Sequence, residues 1–432
     1  MERSREPAYN SRDALAGCRL WCPGSGLAIL ALLLLAPSAV LNRNRLALMK
    51  TILSIFGTRP EAIKMAPVIR ELARHPGQII SRVCVTAQHR QMLDQVLKLF
   101  SIVPDFDLNL MAANQTPSQV AAAALTGLEP ILHQVRPDWV LVQGDTTTVA
   151  AASFAAVLAR AKVGHVEAGL RTYDKWSPFP EEIMRRVARV IADLHFTPTE
   201  QARQNLLREA TPPESVIHTG NTVVDAVLWA AAQPFDLRTL PLDAALLDHL
   251  TDPAESQPSA NAIDLILVTA HRRESFGEPF NNICQALREL ALSGNGRTQI
   301  VYPVHLNPNV QEPVNRILRG TPNVHLLPPL DYLPLVHLMK RARLALTDSG
   351  GIQEEAPGFG IPVLVMRDRT ERPEGVAAGT AKLVGTDRQR IVAEAQKLLN
   401  NSENYAEMAK AVNPYGDGKS ASRIVKALLN AP

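Results

Sequence analysis

Cysteine is scarce in this chain: four in 432 residues, at positions 18, 22, 84 and 284. Two fall near the N-terminus and two stand far apart in apolar contexts, RVCVTA and NNICQAL, which gives no disulfide framework. Cys18 and Cys22 lack the second Cys or His pair that a zinc site needs, so the thiols are read as reduced and metal-free. Aromatic residues make up only 5% and charged residues 20%, against 46% hydrophobic, a balance that excludes disorder and leaves apolar material for about two domains. Charge of one sign is also lacking. Lys and Arg number 45 against 42 Asp and Glu, and six of those arginines with three of the acids lie in residues 1–48, leaving 39 of each beyond. That balance gives nucleic acid or anionic lipid no field to follow, so an anionic ligand must be held by a local site.

Long apolar runs are missing after residue 48, which excludes a polytopic membrane protein, and no membrane partner is expected for residues 49–432. The one run of length, residues 26–41 (GLAILALLLLAPSAVL), lies behind four arginines and is short for a bilayer span. It resembles a signal-peptide core or a marginal anchor. Met49, however, opens MKTILSIFGTRPE, a strand-like run that needs nothing before it, so a translation start at Met49 is expected and residues 1–48 are left out of the fold.

From Met49 onward short apolar runs alternate with helical patterns. TILSIF, RVCVT, WVLVQ, KVGHV and LHFTP form one series, and DLILVT, QIVYPV, NVHLL, RLALT and PVLVM a second. Strands alternating with helices predict parallel sheets covered on both faces. A weakly patterned stretch rich in Pro, Asp and Ala, residues 233–261, separates the series. The expectation is an α/β fold of two Rossmann-like doubly wound lobes with a cleft between them, residues 49–221 and 222–412.

Ligands in such sheets bind outside the carboxyl ends of the strands, and several strand ends here carry suitable punctuation. After TILSIFG come Thr58 as N-cap, Pro60 at the first helical position and Glu61 completing a capping box. Ile63, Ala66, Ile69, Leu72 and Ala73 mark the buried face, which leaves Arg59 and Lys64 beside the helix start as a candidate anion site or as solvated charges. In the second series RLALT runs into Asp348, Ser349, Gly350 and Gly351 and then a helical IQEEA. Paired glycines at a helix start can cradle a diphosphate; a plain tight turn is the alternative. A carboxylate one turn later, Glu354 or Glu355, could accept hydrogen bonds from both hydroxyls of a ribose.

Four groups expected between the lobes could act as acid or base: Asp145 in VQGDTTT, Glu167 in GHVEAGLR, Glu181 with Glu182 in SPFPEE, and His271 in VTAHRRESFG. Capping or structural roles are the competing readings of each. The chain contains no G-x-G-x-x-G after a strand, no G-x-x-x-x-G-K-[ST], no H-E-x-x-H and no G-x-S-x-G. A site suited to a nucleotide sugar, with carboxylates and a histidine and no redox cofactor, is what remains.

These segments resemble the non-hydrolysing UDP-N-acetylglucosamine 2-epimerases of bacteria. The resemblance rests on FGTRPEAIKMAPVI (56–69), VTAQHRQMLDQVLKLFSI (85–102), GDTTT (144–148), GHVEAGLRT (164–172), SPFPEE (177–182), TGNTVVDA (219–226), HRRESFG (271–277), VYPVHLNPNV (301–310), LTDSGGIQEEAP (346–357), VMRDRTERPE (365–374) and NPYGDGKSASRI (413–424). It implies a glycosyltransferase-B type fold in which residues 413–432 join the N-terminal lobe, a homodimer in the cytoplasm, no cofactor and no metal, and interconversion of UDP-GlcNAc and UDP-ManNAc for surface polysaccharide. It also implies Arg59, Lys64, His271, Ser349, Gly350, Gly351, Glu355 and Arg372 as UDP ligands, with Glu355 on the ribose. Asp145, Glu167 and Glu181 would be the acid/base set beside His271. Leu330 and Leu335 stand where relatives often show Gln and Phe beside the uracil, and Ile183-Met184-Arg185 lacks the Asn that usually precedes the Arg. His337 replaces a common aromatic, and packing is the expected role for it. Gln88, Gln91, Arg272 and His305 match the motifs of an activator site known in some members.

The chemistry fits an enzyme without cofactor. The C2 hydrogen of a sugar nucleotide has no adjacent carbonyl, so either C3 is oxidised by NAD or UDP leaves first, giving 2-acetamidoglucal until the two recombine on the other face. That second course requires cations on the diphosphate and acid/base groups on both faces of the ring. The alternatives are a hydrolysing epimerase or an epimerase of a related UDP-sugar, a transferase of the same fold that would need an acceptor, and a non-catalytic nucleotide-sugar sensor.

Overall fold

The computed structural model describes residues 49–87, 90–110, 112, 115–251 and 263–432, so the readings of residues 1–48 lie outside it. Residues 50–432 form one compact unit. All ten expected strands are present, together with three too short to carry a sequence pattern. In chain order they are β1 (Lys50–Phe56), β2 (Ile79–Val85), β3 (Phe106–Asp107), β4 (Trp139–Gln143), β5 (Lys162–Val166), β6 (Leu194–Thr197), β7 (Val216–His218), β8 (Asp264–Thr269), β9 (Thr298–Pro303), β10 (Val324–Leu327), β11 (Leu344–Thr347), β12 (Val363–Val365) and β13 (Ala381–Leu383). Every strand pair is parallel. One sheet runs β3-β2-β1-β4-β5-β6-β7 and the other β10-β9-β8-β11-β12-β13. Each is a doubly wound Rossmann-like sheet, and the chain has the two-lobe arrangement of the glycosyltransferase-B type.

The strand order reverses between β1 and β4 in the first sheet and between β8 and β11 in the second. Helices leave opposite faces on the two sides of such a point, so a crevice opens outside the strand ends. The four loops that meet there begin at Gly57, Gly144, Ala270 and Asp348. Gly57 is required where it stands: a Cβ would come within 2.1 Å of the Thr86 hydroxyl.

The helix Arg59–Leu72 shows how the sequence builds one wall. Thr58 is its N-cap, and Pro60 is the second residue rather than the first. Its buried positions include Ala62, Met65 and Val68 as well as the expected Ile63, Ala66, Ile69 and Leu72. The burial reaches around the helix because it packs on β1 and β2 and also against the helices Thr222–Ala231 and Ser420–Asn430. Ala73, expected on the buried face, is the exposed C-cap. Val223, Val224 and Val227 join Ile52, Phe56, Ile424 and Leu428 in one apolar cluster, which also takes in Tyr332 and Val336 from the helix Tyr332–Arg341. The weakly patterned stretch after residue 233 carries the helix Ala244–Thr251 in its described part. Among the described residues no helix is long and apolar enough to cross a membrane.

Candidate functional site

A buried carboxylate closes each switch point. In the first sheet Glu61, 2% exposed, accepts from the Gly57 and Thr58 amides at 2.9 and 2.7 Å, and its other oxygen accepts from the Thr146 hydroxyl at 2.6 Å. The capping box read from the sequence therefore also ties the β1 loop to the β4 loop. Burial raises the Glu61 pKa, and these hydrogen bonds oppose the rise. In the second sheet Asp348, fully buried, accepts from the His271 and Arg272 amides at 2.6 and 2.7 Å. Its other oxygen lies 3.5 Å from the His271 Nδ1.

Between these points lies a cavity of about 330 Å³ that gathers side chains from both sheets. Arg59 and Lys64 line it from the first, and Ser349, Gly350, Gly351, Glu355 and Arg372 from the second. Leu330 and Leu335 close one side with Tyr332. Nine of the expected substrate-binding residues thus share one cavity, although they lie up to 313 positions apart in the chain.

The charges in it are interlocked. The Lys64 ammonium bonds to Glu167 Oε1 and stands 3.3 Å from Glu354 Oε2, and Glu354 Oε1 accepts from Arg372 Nε. Burial alone would lower the Lys64 pKa, but the two carboxylates outweigh it and the net direction is upward. The Arg372 guanidinium is likewise held in its charged form, against burial, by Glu354 and Glu167. Glu167 also accepts from Gln143 and, at 3.2 Å, from Asn221. It follows β5 at φ +64°, a left-handed conformation uncommon outside glycine and concentrated at functional sites. Glu355 is pushed up to about 8, first by burial and next by the neighbouring Glu354 carboxylate; the Tyr332 hydroxyl donates to it at 3.4 Å.

Asp145 follows β4 and pairs with Arg185 at 2.6 Å. Arg185 lies on the helix Glu181–Ile191, so the loop of one candidate and the helix of another are joined by this pair. Glu182, offered with Glu181 in the sequence, has a structural position: fully buried, it takes the amides of Thr172 and Tyr173 and stands 3.3 Å from Arg185. Glu181 opens the helix after two cis prolyl bonds, and its Oε2 is buried without a hydrogen-bond partner. The His271 ring stacks on His305 with centroids 5.3 Å apart. Burial lowers the His271 pKa, Asp348 opposes this, and His305, Arg272 and Arg59 add to it, which favours a neutral imidazole.

Of the four activator candidates, Gln88 and the side chain of Gln91 lie outside the described residues. Arg272 lines the same cavity as the diphosphate candidates, whereas His305 does not line it and stacks on His271. His337 packs against Phe235 and hydrogen-bonds the Gln233 carbonyl at 3.0 Å. Cys84 and Cys284 are free and buried, and burial pushes both thiols up to about 12. Sequence reasoning missed Asp348, Glu182 and Glu354 as organisers of the site. The one available signal was Glu182 with Arg185 three residues on, a spacing that faces both to one side of a helix.

Residues 70–429 match the family model described as UDP-N-acetylglucosamine 2-epimerase. The chain is 56% identical over 378 residues to the UDP-N-acetylglucosamine 2-epimerase of Salmonella typhimurium, covering 87% of this chain and 98% of that protein. It is 53% identical over 379 residues to the enzyme of that description from Yersinia pestis, covering 88% and 98%. The crystal structure of UDP-GlcNAc 2-epimerase from Neisseria meningitidis bound to UDP-GlcNAc superposes with a TM-score of 0.76 at 48% identity, covering 88% of this chain and 100% of that one. The Methanocaldococcus jannaschii UDP-GlcNAc 2-epimerase in complex with UDP-GlcNAc and UDP gives 0.68 at 31% identity, with 88% and 100% covered.

Proposed function

This chain belongs to the UDP-N-acetylglucosamine 2-epimerase family, and on that premise we propose that it interconverts UDP-GlcNAc and UDP-ManNAc by eliminating and re-adding UDP. The observation that carries the reading is the single cavity in which Arg59, Lys64 and Arg372 meet the Ser349–Gly351 turn, with Glu167 bonded to one of those cations. UDP lies with its diphosphate on the cations and its ribose on Glu355. Leu330 and Leu335 provide the apolar wall beside the uracil.

The C1–O bond breaks with its electron pair going to the β-phosphate oxygen of UDP. Arg59, Lys64 and Arg372 stabilise the charge that appears there. A carboxylate of the set Asp145, Glu167 and Glu181 takes the proton from C2, and 2-acetamidoglucal remains beside UDP. Delivery of a proton to the opposite face of C2, with return of the UDP oxygen to C1, gives the other epimer. No oxidant is consumed, because the carbon skeleton ends at the oxidation level at which it began. His271, neutral and beside the diphosphate candidates, supports departure of UDP by hydrogen bonding.

UDP-GlcNAc is made in the cytoplasm, which supports action there in supplying ManNAc units for surface polysaccharide. The lobes are read as residues 49–221 with 413–432, and residues 222–412. A homodimer is supported by an apolar patch on two helices that pack together, Thr147–Leu158 and Glu181–Ile191, where Phe154, Leu158 and Val190 are 46%, 68% and 75% exposed. Activation by a second UDP-GlcNAc is supported by Arg272, which lines the cavity, and by His305, which stacks on His271.

Incubation with UDP-GlcNAc alone, without NAD, metal or acceptor, tests the reading. Chromatography should recover a mixture of UDP-GlcNAc and UDP-ManNAc. Free ManNAc with UDP would instead mark the hydrolysing mode, and turnover only with an added acceptor would mark a transferase.

A further inference from the structure

One buried charge in the cavity has no task in this reaction. The Glu354 side chain is 2% exposed, and a carboxylate so buried is costly unless it is paired. It is paired twice, with cations from the two sheets: Arg372 through Oε1, and Lys64 3.3 Å from Oε2. That second oxygen has no hydrogen bond of good geometry. Glu354 therefore stands between two like charges that would otherwise repel.

Arg372 is fixed at further points by neighbours of the same helix, Gly350–Glu355. Its amide donates to the Thr370 hydroxyl at 3.1 Å, and that hydroxyl donates to Gln353 Oε1 at 2.6 Å. Gln353 and Glu354, adjacent in sequence, thus hold the loop backbone and the guanidinium of Arg372. The result is a guanidinium beside the turn that lines the cavity: a Cβ on Gly350 would stand 3.9 Å from its Cζ.

We propose that Glu354 is a positioning residue whose carboxylate fixes the Arg372 guanidinium and the Lys64 ammonium as one pair of charges for the diphosphate of the UDP-sugar, without touching the substrate itself. This rests on the reading of the cavity as the UDP site. A carboxylate that merely competed with the diphosphate for these cations would have the opposite effect on affinity, so the sign of the change separates the two roles.

The test is Glu354→Gln, which keeps the shape and removes the charge, with UDP affinity measured by calorimetry at pH 9. At that pH Glu355 is ionised whether or not Glu354 is charged. The groups facing Glu355 are Glu354 on its own helix, Lys64 and Arg59 from the helix Arg59–Leu72, and Tyr332 from the helix Tyr332–Arg341. The UDP Kd and the KM for UDP-GlcNAc should rise about tenfold or more, and kcat should fall by less than KM rises. Glu354→Asp, which keeps the charge and withdraws it by one methylene, should show a smaller loss, and it carries the test if the Gln variant does not fold. Unchanged or tighter UDP binding by the folded variant, with Arg372→Ala weakened in the same assay, overturns the positioning role and leaves the UDP site standing. If neither wild type nor Arg372→Ala binds UDP, the reading of the cavity fails and the positioning role with it.

Discussion

Asp145 and Glu167 lie on loops that leave adjacent strands, and each is held by a cation, Arg185 and Lys64. Asp145→Asn and Glu167→Gln are expected to lower kcat by about 10²-fold or more, as acid/base groups do, with UDP affinity nearly intact in Asp145→Asn and reduced by far less than kcat in Glu167→Gln, which also loses a charge on Lys64. Steady-state kinetics beside UDP titration checks this, and an equal loss of binding would make them shapers of the site. Arg372→Ala should chiefly raise KM. Glu355 gives a pH prediction. Its carboxyl, pushed up to about 8, is mostly protonated at neutral pH and offers both oxygens as charged acceptors to the two ribose hydroxyls only as pH rises through that value. UDP should therefore bind about tenfold more tightly at pH 9 than at pH 7, and Glu355→Gln should flatten the dependence. Most of these residues were legible in the sequence because strand-end motifs survive as contiguous words. Glu354 and Asp348 were not, since their roles depend on partners in other segments: the Lys64 ammonium 290 positions away and the His271 and Arg272 amides.

Among elements, the helix Arg59–Leu72 shows what local pattern can and cannot tell. Its cap and apolar spacing were readable, whereas its nearly complete burial was not, because that depends on the helices Thr222–Ala231 and Ser420–Asn430 closing over it. β3, β7 and β13, of two, three and three residues, were missed for a related reason. A strand that short has too few alternations to register, and its neighbour in the sheet defines it. The switch-point bridge of Glu61 belongs to this scale. Glu61→Ala leaves the Gly57 and Thr58 amides without a partner, and should cost about 1–3 kcal/mol in urea unfolding. A variant as stable as wild type would show that these loops need no such tie.

For the whole molecule, two buried histidines on neighbouring strands weaken the fold in acid. His165 on β5 and His195 on β6 are lowered to about 4 and about 3, mainly by burial, and are neutral in the fold. The unfolded chain binds protons at both from about pH 6.5 downward, so between that pH and 4 it carries more protons at these two sites, and their contribution lowers stability as pH falls. The effect is on the order of 3 kcal/mol per histidine across the full window. Glu355, raised to about 8, contributes in the opposite sense as pH falls toward 4.5, so the histidine share is read by difference: between pH 6.5 and 5 the urea midpoint of His195→Gln should lose less, or gain more, than that of wild type, and equal slopes would remove His195 from the acid response. Assembly is the other property at this scale. Leu158→Glu with Val190→Glu should halve the mass seen in sedimentation, and an unchanged mass would move the dimer contact elsewhere.

Elimination and re-addition at C2 by protein acids and bases leave a signature that proton NMR in deuterium oxide can read. With UDP-GlcNAc as the sole addition, UDP-ManNAc should appear together with loss of the C2 proton signal in both epimers, as solvent deuterium replaces the abstracted proton. Epimerisation that retains the C2 proton fully through many turnovers would contradict removal of that proton by solvent-exchanging carboxylates.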